Sequence, residues 1–338
     1  MPAARSGTLL EQSLQRSRRE ELEDFPHMFT RLLAAGLTAL LSGCMIEMGD
    51  SDRFHEDFHH SYKFNPGGRL AIENENGTVE ISTWDKDEIE ITGTKNASTQ
   101  ELLKDIKVNI DATPAVVRVR VDRPNFRGNA GVRFSIRVPK KVELERIKST
   151  NGTLHVMGTE GTAHLETTNG KIEAMGVTGR LTAETTNGSI ELDGHKGDVR
   201  ARTSNGKISG EVAKGVIDAH TSNGSIDIDL AAIESPEPVR LETTNGNINL
   251  KLAAAHEVRA RTNNSSITVQ LPEKADANLR ARTSNSHIDS DFGPSAGVAG
   301  EDDEERERRN KSLDAKIGKG GPLIDLSTSN GRIKILKF

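Results

Sequence analysis

The chain is poor in the residue types that build most enzyme cores and sites. Only 3% of its 338 residues are aromatic, with one tryptophan, Trp84, and one tyrosine, Tyr62. It has no zinc-ligand spacing and no glycine-rich phosphate loop. Its net charge of −5 shows no basic excess of the kind that binds nucleic acid. The sequence therefore predicts no metal site, no cofactor and no nucleic-acid partner.

The chain has a single cysteine, and the position of this residue is informative. Cys44 ends the apolar run "LLAAGLTALLSGC", which follows Arg31 and is too short to span a membrane comfortably. A basic start, an apolar middle and small residues before the cysteine are typical of a secretory signal. The segment "LSGC" resembles a bacterial lipobox. This resemblance implies cleavage before Cys44 and attachment of a diacylglycerol to its thiol.

The residues around this signal predict a lipid-anchored protein of the cell envelope. Because Met28 starts a compact signal, "MFTRLLAAGLTALLSGC", we expect 1–27 to be a start-site extension and 28–43 the lipoprotein signal peptide. We expect 44–66 to be a tether. Met45 favours the outer membrane, or a periplasm-facing position, if the organism is Gram-negative. The predicted partner is the membrane itself, and the sequence identifies no protein partner.

A nine-residue phrase recurs along the rest of the chain, as in "ETTNGSIEL" at 184–192. The first five copies of the main series are spaced by eighteen residues, and an earlier copy contains Asn76. The asparagines of the main series are Asn151, Asn169, Asn187, Asn205, Asn223, Asn245, Asn264, Asn285 and Asn330.

The apolar pattern around each asparagine predicts a repeating pair of strands. Leu181 and Ala183 alternate before the Asn187 corner, and Ile190 and Leu192 alternate after it. The spacing across the Asn-Gly corner is constant, whereas all length variation falls in the opposite corner, which we call the variable corner. Because one such unit cannot bury its own inner face, stacked units are favoured.

We therefore predict an all-β fold, a single-stranded β-solenoid (β-helix-like) of about 18-residue rungs with Asn-Gly corners. Each rung is named here by its asparagine. Eight or nine rungs would form a rod of roughly 40 Å. A meander of hairpins, in which each Asn-Gly is a two-residue turn, is the alternative.

Alternation predicts that the asparagine and the threonine two residues before it point inward. Stacked rungs would then form a hydroxyl ladder and an amide ladder, with glycine at positive φ in the corner. Ser265 and Ser286 replace that glycine in two rungs, which predicts strained or differently turned corners. The predicted ladder residues are Thr167, Thr185, Thr203, Thr221 and Thr243 with Asn169, Asn187, Asn205, Asn223 and Asn245.

The flanking segments have other patterns. Residues 67–150 show alternating strands and are predicted to form an N-terminal β-rich cap that contains the Asn76 rung. Residues 151–292 hold the solenoid repeats. Residues 293–322 form a loop insertion rich in Gly, Pro and charge, for which we expect disorder or a short exposed helix. Residues 323–338 are predicted to form the final rung.

Residues 64–338 resemble a widespread bacterial envelope family. The similar segments are "GGRLAIENENGTVEISTWDKDEIEITGTK", "VRFSIRVPK" and the repeated "TTNGKIE". The family is a domain of unknown function with β-strand repeats that carries an adhesin label. The resemblance implies an exported β-solenoid and no established enzyme activity. No functional residues carry over, because the shared motifs are structural.

Arginines on the outward positions form a candidate binding surface. Arg240, Arg259 and Arg280 lie five residues before the asparagine in three successive rungs of the sequence. Because stacked like charges repel, an anionic glycan, a lipid head group or the acidic stretch 301–305 would stabilise them. The alternative is a solvated face on which arginine prevents aggregation. The candidate ligand-binding residues are Arg240, Arg259, Arg261, Arg280 and Arg282.

Stacked glutamates form a second candidate site. Glu166 and Glu184 lie on neighbouring rungs, as do Glu173 and Glu191, with a separation compatible with a retaining glycosidase pair or a calcium site. A plain surface is the alternative, and the lack of aromatic sugar platforms favours it.

Histidines form the third candidate. His55, His59 and His60 follow the predicted anchor and could bind a metal or belong to a flexible tether.

We predict no catalytic residue. The predicted function is a non-catalytic, adhesin-like binding or scaffold module, for which anionic glycans or lipids are candidate ligands. A polysaccharide-active β-helix enzyme and an envelope-stress accessory protein that acts through a membrane partner are the alternatives.

Overall fold

The structure, a computed structural model, describes residues 54–122, 129–292 and 311–338. The described residues form 26 strands in two sheets of 13 strands each, and one short helix. Helix α1, Gln100–Asp105, begins after Thr99, whose Oγ1 accepts a hydrogen bond from the backbone N of Leu102, and it buries Leu103. Cys44 and the predicted segments 1–27 and 28–43 lie outside the described residues.

Sheet 1 contains the arm of each rung that follows the asparagine. Its strands, in spatial order, are β1 (Phe54–Lys63), β4 (Glu88–Ala97), β7 (Ala130–Pro139), β3 (Val79–Trp84), β9 (Leu154–Met157), β11 (Ile172–Met175), β13 (Ile190–Lys196), β15 (Ile208–Lys214), β17 (Ile226–Leu230), β19 (Ile248–Leu252), β21 (Ile267–Leu271), β26 (Ile333–Lys337) and β23 (Ile288–Ser290).

Sheet 2 contains the arm that precedes the asparagine. Its strands, in spatial order, are β24 (Ser312–Ile317), β22 (Ala277–Thr283), β25 (Leu323–Thr328), β20 (Val258–Arg261), β18 (Val239–Glu242), β16 (Ile217–His220), β14 (Val199–Arg202), β12 (Leu181–Glu184), β10 (Ala163–Thr167), β8 (Val142–Ser149), β2 (Gly68–Glu73), β6 (Val116–Asp122) and β5 (Lys107–Ala112).

Parallel pairing between rungs confirms the β-solenoid and excludes the hairpin meander. β12 pairs in parallel with β14, so that Leu181 lies beside Val199, and β11 pairs in parallel with β13, so that Ile172 lies beside Ile190. A hairpin would instead pair the two arms of one rung in antiparallel orientation. Eleven parallel layers from β6 and β7 to β22 and β23 give a rod of about 50 Å.

The interior consists of columns of aliphatic side chains. Residues at matching positions, such as Ile190, Ile208 and Ile226, are fully buried and lie one above another. Each inner face is covered by the opposite sheet, and each strand by its neighbours. Small and branched aliphatic residues fill this narrow space, which accounts for a core with few aromatic residues.

The inward threonines are confirmed as buried, but the predicted hydroxyl-to-hydroxyl ladder is wrong. Each threonine Oγ1 donates instead to the carbonyl oxygen at the corner of the preceding rung, at 2.9–3.1 Å. In the Asn187 rung the same Oγ1 of Thr185 also accepts from the backbone N of Gly188 at 3.2 Å. The hydroxyl therefore links two rungs and fixes the corner at the same time.

The amide ladder is present, but on the outside of the molecule. Each asparagine Nδ2 donates to the Oδ1 of the preceding asparagine at 2.6–2.8 Å, and these side chains are exposed. The prediction of inward asparagines is wrong because the chain turns at this residue, so that strict alternation ends at the threonine. The ladder joins, in order, Asn76, Asn151, Asn169, Asn187, Asn205, Asn223, Asn245, Asn264, Asn330 and Asn285.

The role predicted for the corner glycines is also corrected. Among the described Asn-Gly corners only Gly77 has a positive φ. The others are required by close stacking, since a Cβ on Gly206 would lie 1.7 Å from the carbonyl oxygen of Gly188. Positive φ is found at the variable corner instead, for example at Gly176 and Gly194.

The C-terminal rung is not the last in space. Strands β25 and β26 insert between β20 and β21 on one side and β22 and β23 on the other. The prediction that 323–338 form the final rung is therefore wrong, because the Asn285 rung occupies that place.

Two predictions of unstructured segments are corrected as well. Within the insertion 293–322, residues Ser312–Ile317 form β24, which pairs antiparallel with β22 and covers the edge of sheet 2. Within the predicted tether 44–66, Phe54–Lys63 form β1, which pairs antiparallel with β4 over its whole length. Antiparallel strands at solenoid ends shield the parallel layers from pairing with another chain.

Candidate anion-binding surface

The predicted column of successive arginines is interrupted in the structure. Arg240 lies beside Arg259, but the inserted strand β25 places Asp325 between Arg259 and Arg280. Linear order in the sequence suggested three adjacent arginines, whereas the insertion leaves two adjacent and one separated. The five candidate residues therefore divide into two groups.

Arg280 and Arg282 form ion pairs within the chain. Both lie near Asp314 of β24, with Arg280 Nε at 3.6 Å from Oδ1 and Arg282 Nη2 at 3.5 Å from Oδ2. The counter-charge was expected from the acidic stretch 301–305, which lies outside the described residues. Asp314 belongs to the same insertion and partly neutralises this pair.

Arg240, Arg259 and Arg261 form the second group, which we call the arginine patch. Arg240 is half-buried, and the other two are exposed on the outer face of sheet 2. Across the described ranges, no carboxylate lies within 4.0 Å of these guanidinium groups. Their donors therefore point to a surface on which an anion can be held by bidentate hydrogen bonds.

Nearby carboxylates are engaged elsewhere or lie beside the patch. Asp218, next to Arg240 in the sheet, accepts from Arg202 Nη2 at 2.6 Å. Glu242 neighbours Arg261 and has His220 at 3.8 Å. Asp325 lies beside Arg259, so the patch is a group of three arginines on a face of mixed charge.

The glutamates of each predicted pair are neighbours in the sheet, but basic side chains form ion pairs with them. Glu166 lies beside Glu184 and accepts hydrogen bonds from Arg146 and Lys148, each at 2.8 Å. Burial alone would raise the pKa of Glu166, but these bonds outweigh burial and hold the pKa below its usual range. An ionised Glu166 that is held in this way is unsuited to serve as a general acid.

Lysine bridges the second glutamate pair. Lys171 Nζ contacts the carboxylates of both Glu173 and Glu191, and His155 contacts Glu173 as well. The hydrogen bond from Lys171 is the main cause of a lowered pKa at Glu173. The arrangement is that of a surface ion-pair network.

The histidines of the predicted tether lie on β1. His59 Nδ1 is 3.2 Å from Thr92 Oγ1, and the rings of His60 and Tyr62 stack with centroids 6.2 Å apart. Within the part of the chain that the structure describes, no group of three or more His, Cys, Asp or Glu side chains could hold a metal ion.

No helix in the described ranges has the length and apolar character needed to cross a membrane.

Sequence reasoning missed the position of the inserted rung and its consequences for the surface. Asp325 and Asp314 change the charge around the arginines, yet nothing in their local sequence marks them. The 45-residue gap between Asn285 and Asn330, with the alternating pattern of "SLDAKI" inside it, is the signal that could have indicated an extra strand.

Comparison with solved structures finds a protein of low similarity. A proposed cell adhesion protein from Clostridium sporogenes shares 12% sequence identity, with a TM-score of 0.20, over 84% of this chain and 100% of its own. This similarity is too weak to support an argument about function. No curated protein matches the chain.

The family comparison covers most of the chain. Residues 68–336 match the family model of Toastrack DUF4097, and this range includes every parallel layer described above. This match confirms the family resemblance that the repeated "TTNGKIE" phrases indicated, namely a domain of unknown function with β-strand repeats. The chain belongs to the Toastrack DUF4097 family.

Proposed function

We propose that this protein is a non-catalytic, adhesin-like module of the cell envelope that binds an anionic polymer through the arginine patch. The observation that carries the proposal is the contrast within one sheet face. Arg280 and Arg282 have a carboxylate partner, whereas Arg240, Arg259 and Arg261 have none within the described ranges.

Rigidity of the solenoid supports a binding role. The rungs are joined by strand pairing, by the buried threonine bonds and by the amide ladder, so that the outer faces are held in fixed register. Prearranged donors avoid part of the ordering cost of binding. A glycan or lipid surface with repeated carboxylates or phosphates has the complementary charge.

A matched pair of variants tests the patch. Arg240, Arg259 and Arg261 are changed to Ser in one variant, and Arg280 and Arg282 are changed to Ser in the control. We expect the first variant to lose binding of residues 45–338 to isolated envelope glycans or anionic vesicles, and the control to keep most of it. Equal binding by all three proteins would contradict the proposal.

Lipid anchoring at Cys44 is part of the proposed function, and it is motivated by "LSGC". Cleavage before Cys44 and lipidation would place the mature chain on a membrane. We expect the full chain to incorporate labelled fatty acid and to sediment with membranes, and Cys44→Ala to do neither. Unchanged labelling of Cys44→Ala would show that the cysteine is not the anchor.

A further inference from the structure

A depression of about 560 Å³ lies over the Asn-Gly corner of sheet 1 near its C-terminal end. It spans four neighbouring rungs, in the spatial order Asn245, Asn264, Asn330 and Asn285. This is the region in which the repeat departs from its own pattern. The residue after the asparagine is Gly246, Ser265, Gly331 and Ser286 in these four rungs.

The two serines and the glycine between them shape the depression. Gly331 is buried, and a Cβ there would lie 1.7 Å from the carbonyl oxygen of Ser265. Ser265 and Ser286 are half-buried, and Ser265 Oγ donates to the carbonyl oxygen of Asn245 at 2.8 Å. At its corner the inserted rung therefore has Gly331, which has no side chain, and the two neighbouring rungs have Ser265 and Ser286 at the same position.

Amides and hydroxyls form most of the lining. Asn247 Oδ1 accepts from the backbone N of Ser266 at 3.1 Å, which orients the amide, and its Nδ2 donates to no described residue. Thr268 and Ser266 add hydroxyl groups beside it. Such donors and acceptors suit a ligand with many hydroxyl groups.

Positive charge is concentrated on the inserted rung. Arg332 and Lys334 line the depression, and none of its lining residues is acidic. Asp289, which lies beside Lys334 on the neighbouring strand β23, is 3.7 Å from Arg332 Nε. Lys334 is half-buried, and across the described ranges no carboxylate lies within 4.0 Å of its Nζ. A ligand carboxylate at this point would give Lys334 the ion-pair partner that it lacks among the described residues.

We propose that this depression is a binding site for an acidic saccharide. Sugar hydroxyls would bind the side chains of the Asn245 and Asn264 rungs, and the carboxylate would bind Lys334 with support from Arg332. Four rungs span about 14 Å, which is longer than a lone inorganic anion requires. The site lies on sheet 1 and is separate from the arginine patch on sheet 2.

Trigalacturonic acid and its trimethyl ester are suitable probes, because they share the sugar hydroxyls and the ester replaces each carboxylate with a neutral group. Calorimetric titrations use the purified chain with Arg240, Arg259 and Arg261 changed to Ser, so that the depression is measured alone. We expect the acid to bind about tenfold more tightly than the ester, as one charge-assisted contact provides. Lys334→Gln should remove this preference, and Lys334→Arg should retain most of it.

Lys207→Gln is the matched control. Lys207 lies on the same sheet at an ordinary Asn-Gly corner and pairs with Asp227 at 2.6 Å, so its loss should leave binding unchanged. Equal affinity of the Lys334→Gln and Lys207→Gln proteins, or no binding of the acid, would overturn the proposal. Because the arginine patch is absent from every protein in the series, failure here would not reflect failure of the patch, and success would not depend on it.

Discussion

At the scale of single residues, identical positions in successive rungs act as links between layers. In the rungs that have a threonine two residues before the asparagine, this buried threonine donates to a carbonyl of the preceding rung and so satisfies a corner that stacking alone would leave incomplete. The sequence repeat predicted that this residue is buried. It could not predict the acceptor, since a hydroxyl can bond equally to another hydroxyl or to a carbonyl.

Thr203→Val should destabilise the protein by about 1 kcal/mol, because Thr203 Oγ1 donates to Gly188 at 3.0 Å in a buried setting. Thr182→Val is the control, since Thr182 is half-buried on the outer face of β12. Urea unfolding of both variants measures the difference. Equal midpoints would show that the inward hydroxyl contributes nothing.

His195 is fully buried, and its ring lies beside the backbone of Gly179, although neither ring nitrogen makes a hydrogen bond of good geometry within the described residues. Burial lowers its pKa from 6.5 to about 4. Below pH 6.5 this imidazole is protonated in the unfolded chain, whereas in the folded protein it stays neutral down to about pH 4. The free energy of unfolding therefore decreases as the pH is lowered from 6.5 to about 4.

His195→Val should remove this pH dependence, which amounts to about 3 kcal/mol by linkage. Valine suits the site because Val177 and Val212 occupy matching positions in the adjacent rungs. Unfolding measured between pH 4 and 7 tests the prediction, with His220→Val as an exposed control. If the free energy of unfolding of His195→Val has the same pH dependence as that of the original chain, groups other than His195 cause it.

At the scale of the element, the Asn-Gly corner sets the distance between rungs. Glycine stacks on glycine with no room for a Cβ, and the exposed amides join on the outside. The sequence shows that glycine is favoured at this position. The physical reason differs from the expected one, because a local turn preference and a stacking requirement select the same residue.

Gly206→Ala should cost about 3 kcal/mol, because the added methyl would meet the backbone of Gly188 and force two layers apart. Gly194→Ala is the informative comparison. A Cβ there has open space around it, so that the cost comes only from its positive φ. Thermal unfolding should rank Gly206→Ala as the more destabilised variant. The reverse order would refute the stacking explanation.

At the scale of the whole molecule, the sequence predicts the type of layer far better than the order of layers. Each rung has its own apolar pattern, so that strands such as β12 and β13 are evident from residues 181–192. The insertion of β25 and β26 between two earlier rungs leaves no local trace, since the same strands could pair in either position. The predicted adjacency of Arg259 and Arg280 was wrong for this reason, because Asp325, which lies between them, comes from a distant part of the sequence.

Salt dependence of binding is the measurement that tests the central claim most directly. Residues 45–338 are titrated with an anionic envelope glycan over a range of salt concentrations, beside the triple Ser variant of the arginine patch and the control variant of Arg280 and Arg282. The account predicts binding that weakens steeply with salt, is retained by the control and is lost in the triple variant. An affinity that does not change with salt concentration, or that is unchanged in the triple Ser variant, would contradict this account.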